Sequence, residues 1–241
     1  MRIRLLSDVH FEFYEDKELY ENKGEDVLVI AGDLAVGGPN IVDALSKFAK
    51  NTEEVVYVPG NHEYYRNSIP EVDAYVRNAT RDTNVHFLNP GNVRIDGVAF
   101  IGATLWTEFN NNQFSKLVAA QQINDFRSIR GFDTDYCVML YNEHLSYIKE
   151  AYEKLDGKKV IVTHFLPDKI CIDPQYQGES AMNDYFSNNL GEWIQDLQDT
   201  PYWLFGHTHS PVNKEINNTK VIANPYGYNK NHNYKELILE V

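Results

Sequence analysis

Val27-Leu28-Val29-Ile30-Ala31-Gly32-Asp33 is the stretch that decides the fold of this chain. Five apolar residues, rich in β-branched side chains, run without interruption and stop at a glycine and an aspartate. Such a run reads as a short buried strand. Four more runs end in the same manner. Ile3-Arg4-Leu5-Leu6 leads into Ser7-Asp8-Val9-His10, and Val55-Val56-Tyr57-Val58 leads into Pro59-Gly60-Asn61-His62-Glu63. Val160-Ile161-Val162 leads into Thr163-His164-Phe165, and Tyr202-Trp203-Leu204-Phe205 leads into Gly206-His207-Thr208-His209.

Between these runs lie segments with helical periodicity, at 40–50, 69–78 and 138–155. The last carries apolar Leu145, Ile148, Tyr152 and Leu155 on one face, with Gly157 placed to end it. Strands that alternate with helices predict an α/β sheet, whose ligands bind outside the carboxyl ends of the strands. All five polar clusters occupy that position. The segment from Val93 to Ile101 reads as a hairpin turning at Asp96-Gly97. A second β unit, with strands at Val221-Ile222-Ala223 and Leu237-Ile238-Leu239, is expected to close the chain.

The 241 residues are 43% hydrophobic, with 22 basic and 35 acidic side chains and a net charge of −13. This excludes a disordered chain and fits one compact domain over 1–241, with a small cap or loop insertion expected around 107–135. No apolar run approaches the roughly 20 residues of a membrane span. The chain reaches Ser7-Asp8 before the core of a secretory leader could form, so none is expected. Cys137 and Cys171 fit no zinc or redox spacing, which predicts a reducing, cytoplasmic setting. The acidic balance argues against long nucleic acid as a partner.

The strand-end side chains, taken together, are Asp8, His10, Asp33, Asn61, His62, His164, His207 and His209, and they include five of the eight histidines. Were these segments extended, residues two apart would point the same way. Asp8 with His10, and His207 with His209, would then each face one point. Imidazole and carboxylate donors without cysteine suit divalent manganese, iron, nickel or zinc. More side chains are gathered than one tetrahedral ion takes, which predicts two ions sharing a carboxylate.

Asp-x-His, Gly-Asp, Gly-Asn-His-Glu, a lone His and Gly-His-x-His, in this order and each after a strand, resemble the calcineurin-like metallophosphoesterase family. The resemblance runs from Asp8 to His209, and the chain is most similar to compact prokaryotic or phage-type members. It implies a two-sheet β-sandwich flanked by helices, a four-layer α/β/β/α arrangement in a single domain. It also implies that Asp8, His10, Asp33 and His209 hold one metal, and that Asp33, Asn61, His164 and His207 hold the other, with manganese the first choice. Asp33 would bridge the two, beside a bridging hydroxide that attacks a phosphate mono- or diester. His62 resembles the family's catalytic histidine, which protonates the leaving group.

Two divalent ions, less two carboxylates and one hydroxide, leave the site at about +1, so an acidic protein can still draw a phosphate. The expected partner is therefore a small or exposed phosphate ester. The protein Ser/Thr phosphatase branch is disfavoured, because Val36 and Gly37 stand where that branch resembles an Asp-Arg pair. Phe165 follows His164 where many small members carry a second histidine, which alters the neighbouring pocket. The rival function is a non-catalytic metal-binding interaction protein on the same fold. A metal-dependent peptidase is weaker, since no His-Glu-x-x-His element is present.

Other residues carry plainer expectations. His86, His144 and His232 read as structural or surface histidines. Glu63 is expected to support a nearby amide or ligand. Tyr64, Tyr65 and Arg66 either reach a substrate phosphate or pack beyond the loop. Arg127 is a candidate phosphate clamp or, more simply, a helix-capping arginine. The turn 224–228 is a candidate rim of the site.

Overall fold

The computed structural model describes residues 1–13, 21–178, 180–227 and 234–241. Two mixed sheets face each other. The first holds β1 (Arg2–Leu6), β2 (Val27–Ala31), β3 (Glu54–Val58), β4 (Val85–Phe87) and β11 (Ile238–Glu240), in the order β11-β1-β2-β3-β4. The second holds β5 (Gly91–Ile95), β6 (Val98–Ala103), β7 (Lys159–Thr163), β8 (Tyr202–Phe205), β9 (Val212–Ile216) and β10 (Thr219–Ala223), in the order β5-β6-β7-β8-β10-β9. Strands β1 to β4 are parallel to one another, as are β6, β7, β8 and β10, while β11, β5 and β9 pair antiparallel at the edges.

The pleat divides the core in two. Ile3, Leu5, Val27, Val29, Val56 and Val58 of the first sheet meet Phe100, Val160, Val162, Leu204 and Ile222 of the second, forming the interior of the sandwich. The alternate residues face outward and are covered by helices. Leu28, Ile30 and Val55 lie in one cluster with Ile41, Leu45 and Phe48 of α1 (Gly38–Ala49) and Val72 and Val76 of α2 (Ile69–Thr80). Ile101, Ile161 and Trp203 belong to the same cluster as Leu140 and Ile148, which come from the long third-layer helix 134–154. Each such side chain contributes about 1.5–3 kcal/mol when fully buried, so the uninterrupted apolar runs follow from strands covered on both faces.

Five further α-helices lie among the described residues, that long one included. In chain order they are α3 (Gln113–Gln122), α4 (Asp125–Ser128), α5 (Thr134–Lys154), α6 (Ser180–Phe186) and α7 (Gly191–Gln195). Caps set the helix starts: α1 and α5 begin earlier than the periodicity predicts, and α2 begins at Ile69 as expected. Pro39 lies in the first turn of α1, which begins at Gly38. Ser68 and Glu71 form a capping box for α2. The Asp133 carboxylate accepts the amides of Asp135 and Tyr136, so α5 begins at Thr134, four residues before its apolar stripe.

The 93–101 hairpin forms with the expected turn, where Asp96 and Gly97 take φ of 43° and 85°. The closing β unit does not form as one piece. Residues 221–223 lie in β10, between β8 and β9, whereas Ile238 and Leu239 pair with β1 in the other sheet. Both segments alternate acceptably for either sheet, and only the crossing of the chain between layers assigns them. Of the turn-rich stretch between them, residues 228–233 and with them His232 lie outside the described residues. Among the described residues no helix is long and apolar enough to cross a membrane.

His144 bears out the plain reading given to it. It is buried on α5, and its Nδ1 accepts the Leu105 amide at 3.1 Å. Burial alone pushes its pKa from 6.5 down to about 3. A depressed folded-state pKa confers stability that is complete above pH 6.5 and is lost as the pH falls through that value toward 3. Over this window His144 is expected to shift the unfolding equilibrium by up to roughly tenfold per pH unit. Urea midpoints measured from pH 7 to 4 should fall less steeply in His144→Asn, which keeps an acceptor but cannot take the proton; parallel curves would rule the effect out. His86 is partly exposed and pairs with Glu54 at 2.7 Å.

Candidate metal centre

The five polar clusters converge at the carboxyl ends of β1, β2 and β3 in one sheet and β7 and β8 in the other. Backbone and side chain are cross-linked across this end of the sandwich. Asp8 Oδ1 accepts the His207 amide at 2.9 Å, and His164 Nδ1 lies 2.9 Å from the Ala31 carbonyl. The His10 amide donates to the Asp33 carbonyl at 2.9 Å. The glycines before the ligands allow this closeness. A Cβ on Gly60 would lie 2.2 Å from Asp33 Oδ1, and one on Gly32 would lie 2.2 Å from His164 Nδ1.

Asp8, His10, Asp33, His207 and His209 all adopt left-handed backbone, with φ of 52°, 50°, 54°, 68° and 49°. Non-glycine residues rarely take this conformation, and a cluster of them marks strain held in place by a site. It also corrects the extended-strand reading. Asp8 and His10 do share one cluster, but through successive left-handed turns and not through the pleat. His207 and His209 part, each facing a different group of donors.

Ligand-type atoms of Asp8, His10, Asp33 and His209 lie within 4.8 Å of one another, and so do those of Asp33, His164 and His207. Asp33 alone belongs to both groups. Its Oδ2 is 3.7 Å from His10 Nε2, and its Oδ1 is 3.4 Å from His164 Nε2. Asn61 Oδ1 joins the second group at 3.1 Å from His164 Nε2. Asp8 Oδ2, Asp33 Oδ2 and His207 Nε2 are buried without a hydrogen-bond partner. Buried polar atoms are normally satisfied, so bare acceptors from three strand ends, with Asn61 and His164 beside them, fit divalent cations.

The protein's own charges at this site act on one another at close range. Burial opposes the Asp33 charge, yet His164, His62 and His10 hold its carboxyl well below the usual range. Burial also opposes the cation on His62, but Asp33 and Glu12 outweigh it and raise this histidine to about 9. His207 is driven well below its ordinary value by burial and by neighbouring His164, which leaves it as the neutral imidazole that ligates metals.

His62 stands beside both groups without belonging to either. Its amide donates to Asp33 Oδ1 at 3.0 Å, and its ring packs 4.6 Å from His10 and 4.3 Å from Tyr65. Glu63 supports the loop as expected. Its buried carboxylate accepts the amides of Leu34 at 2.8 Å, Gly60 at 3.0 Å and Asp33 at 3.2 Å, and the Tyr57 hydroxyl at 2.8 Å. Tyr64 is buried away from the site against Asp73 and Asn89, and Arg66 is exposed. Arg127 is exposed and donates to the carbonyls of Gln121 and Gln122 at the end of α3, the arrangement of a surface, helix-capping arginine. At the 224–228 turn, Tyr226 and Gly227 donate to the carbonyls of Ser7 and Asp8, which sets that turn against the exit of β1; Tyr228 lies outside the described residues. Phe165 packs its ring 4.2 Å from that of His207.

Two carboxylates at the site lie outside the strand-end motifs. Glu12 Oε1 lies 3.2 Å from His10 Nδ1 and 3.4 Å from His62 Nδ1; the every-second-residue series Asp8, His10, Glu12 was its signal. Asp125, on α4, is buried and accepts Asn61 Nδ2 at 3.0 Å, the Tyr65 hydroxyl at 2.7 Å and the Tyr185 hydroxyl. By engaging the amide nitrogen it turns Asn61 Oδ1 toward His164. Nothing in the local sequence around Asp125 announces this.

Comparison with known proteins agrees with this geometry. A family profile described as Calcineurin-like phosphoesterase matches residues 1–211. "Uncharacterized protein L509" of Acanthamoeba polyphaga mimivirus is 27% identical over 269 aligned positions, covering 97% of this chain and 94% of that protein. The crystal structure of phosphopantetheinyl hydrolase from Mycobacterium tuberculosis superposes with a TM-score of 0.79 at 16% identity, over 99% of this chain and 95% of that one. At that identity the likeness is one of fold.

Proposed function

Since the chain belongs to the calcineurin-like phosphoesterase family, we propose that it hydrolyses a small or exposed phosphate mono- or diester at a centre of two divalent metals. Asp8, His10, Asp33 and His209 would hold one ion, and Asp33, Asn61, His164 and His207 the other. The observation that carries this reading is the position of Asp33 in both groups of donors. Mixed nitrogen and oxygen donors without thiolate suit manganese, iron, nickel or zinc, and the family resemblance makes manganese the first choice. When bound, the ions supply Lewis acidity to the phosphoryl oxygens and a nucleophilic water at neutral pH.

The protein's own part is positioning and proton delivery. Glu63 fixes the backbone that presents Asp33. Glu12 orients His10 and His62 through their Nδ1 atoms, leaving His62 Nε2 as the nitrogen that protonates the departing alkoxide. Tyr65 packs against the His62 ring and limits its rotation. The 107–135 segment serves the same domain through Asp125. Long nucleic acid is an unsuitable substrate for a chain of charge −13. Cys137 and Cys171, buried and unpaired, agree with a reducing, cytoplasmic setting.

Turnover of aryl phosphate mono- and diesters, titrated with manganese and then with chelator, tests the proposal. Metal-dependent hydrolysis that chelator abolishes is expected; no turnover across the panel at saturating metal would refute it. Asp125→Ala tests the positioning of Asn61. It should weaken metal affinity at the His164 side by roughly 10–100-fold, as loss of an outer partner does elsewhere, while the Asp8 side keeps its affinity. Unchanged affinity at both, measured by chelator competition, would remove Asp125 from this role.

A further inference from the structure

A cleft of about 310 Å³ opens beside the centre, with His207 and His209 at its inner end. Its walls are Leu166, Ile172, Tyr176, Met182 and Phe186. Phe186 also packs 5.0 Å from the His207 ring, so the wall continues directly into the donor group. Two of the polar side chains along it are engaged within the chain. Asp173 accepts the Gln175 amide at 3.0 Å, and Asn183 Nδ2 donates to the Tyr176 carbonyl at 2.7 Å.

No lysine or arginine lines the cleft among the described residues, and Asp173 is its one charged group. The nearby Lys169 is paired with Asp184 at 3.5 Å. A second phosphate, or the charged chain of a nucleotide or nucleic acid, would find no counter-charge here and would meet a carboxylate. An uncharged apolar group would instead bury surface against Ile172, Met182 and Phe186.

We infer that this cleft takes the uncharged, apolar arm of the substrate, so that the ester hydrolysed is an alkyl or aryl phosphate whose arm lies along Phe186, Met182 and Ile172. The inference rests on the phosphoesterase reading and adds the class of alcohol to it. The phosphate sits at the metal donors, and the arm runs outward over the side of His207 and His209.

The test compares n-hexyl phosphate with ethyl phosphate, whose leaving alkoxides are equally basic, so that any difference lies in the arm. The kcat/KM of the hexyl ester is expected to exceed that of the ethyl ester by about tenfold or more. Ile172→Asp and Met182→Asp should each bring that ratio toward one, and the milder Ile172→Ala should lower it partway. A binding readout runs alongside. The chain has three methionines, and with ¹³C-methyl labelling and zinc present, the Met182 signal should shift with n-hexylphosphonate and not with ethylphosphonate. Measurable but equal turnover of the two esters would overturn the cleft assignment and leave the phosphoesterase standing. No turnover of either ester or of its methyl diester, together with the Met182 shift, would overturn the catalytic reading and keep the cleft. Absence of both would overturn both.

Discussion

Asp33→Asn lowers kcat/KM on an aryl phosphate by roughly a thousandfold or more and leaves the protein folded with at most one tightly held ion per chain. That expectation follows from where the side chain sits. Asp33 is the only residue in both donor groups, its Oδ2 is buried without a partner, and its Oδ1 accepts the His62 amide at 3.0 Å. An amide in its place offers one weak acceptor and no charge, so two cations would lose the anion that allows them to sit close together. Removing one donor aimed at developing charge typically costs about 10²–10³-fold, and loss of an ion removes more than one such interaction. Metal content per chain and steady-state turnover, measured on the same preparation, decide the matter. A variant that keeps two ions and wild-type turnover would show that Asp33 is not the bridge.

His62→Ala should bind metal as the wild type does, yet lose about 10²–10⁴-fold in kcat on alkyl phosphates. The loss should shrink to less than about tenfold on p-nitrophenyl phosphate, whose leaving group departs without a proton. The dependence on leaving group is the diagnostic, because a merely structural role would slow both substrates alike. The geometry favours the selective outcome. The ring lies beside His10 and Tyr65, with Glu12 at 3.4 Å from Nδ1, while the hydrogen bond to Asp33 comes from the backbone amide. That amide survives in alanine. Equal losses on good and poor leaving groups would assign His62 to positioning and not to proton transfer.

The site was legible in the sequence to an unusual depth because each donor follows a strand that is apolar on both faces. Val27 to Ala31 has no solvent-facing residue, so Gly32 and Asp33 mark an unambiguous boundary, and the same holds at Val160 to Thr163 before His164. Parallel strands put all such boundaries at one end of a sheet. Family resemblance then supplied roles that spacing does not contain. Arg127 shows the limit of composition: a guanidinium matches phosphate well, and here it caps α3. Asp125 shows the limit from the other side. Its hydrogen bond spans 64 residues to Asn61, and no local pattern records such a distance.

The sequence by itself determined the kind of fold, marked the eight strand-end side chains that the fold gathers in one place, and left thiolate out of that set. These depend on hydrophobic runs and on residue chemistry, both of which are local properties of the chain. Tertiary structure decided what depends on approach between distant segments. It split His207 from His209 through left-handed backbone, placed β10 and β11 in different sheets, and brought Glu12 and Asp125 in behind the donors. It also set a cleft with apolar walls and no cationic side chain among the described residues against His207. The −13 of the whole chain gives no hint of that cleft, because net charge sums over the surface whereas a binding site depends on the few side chains that the fold turns toward one point.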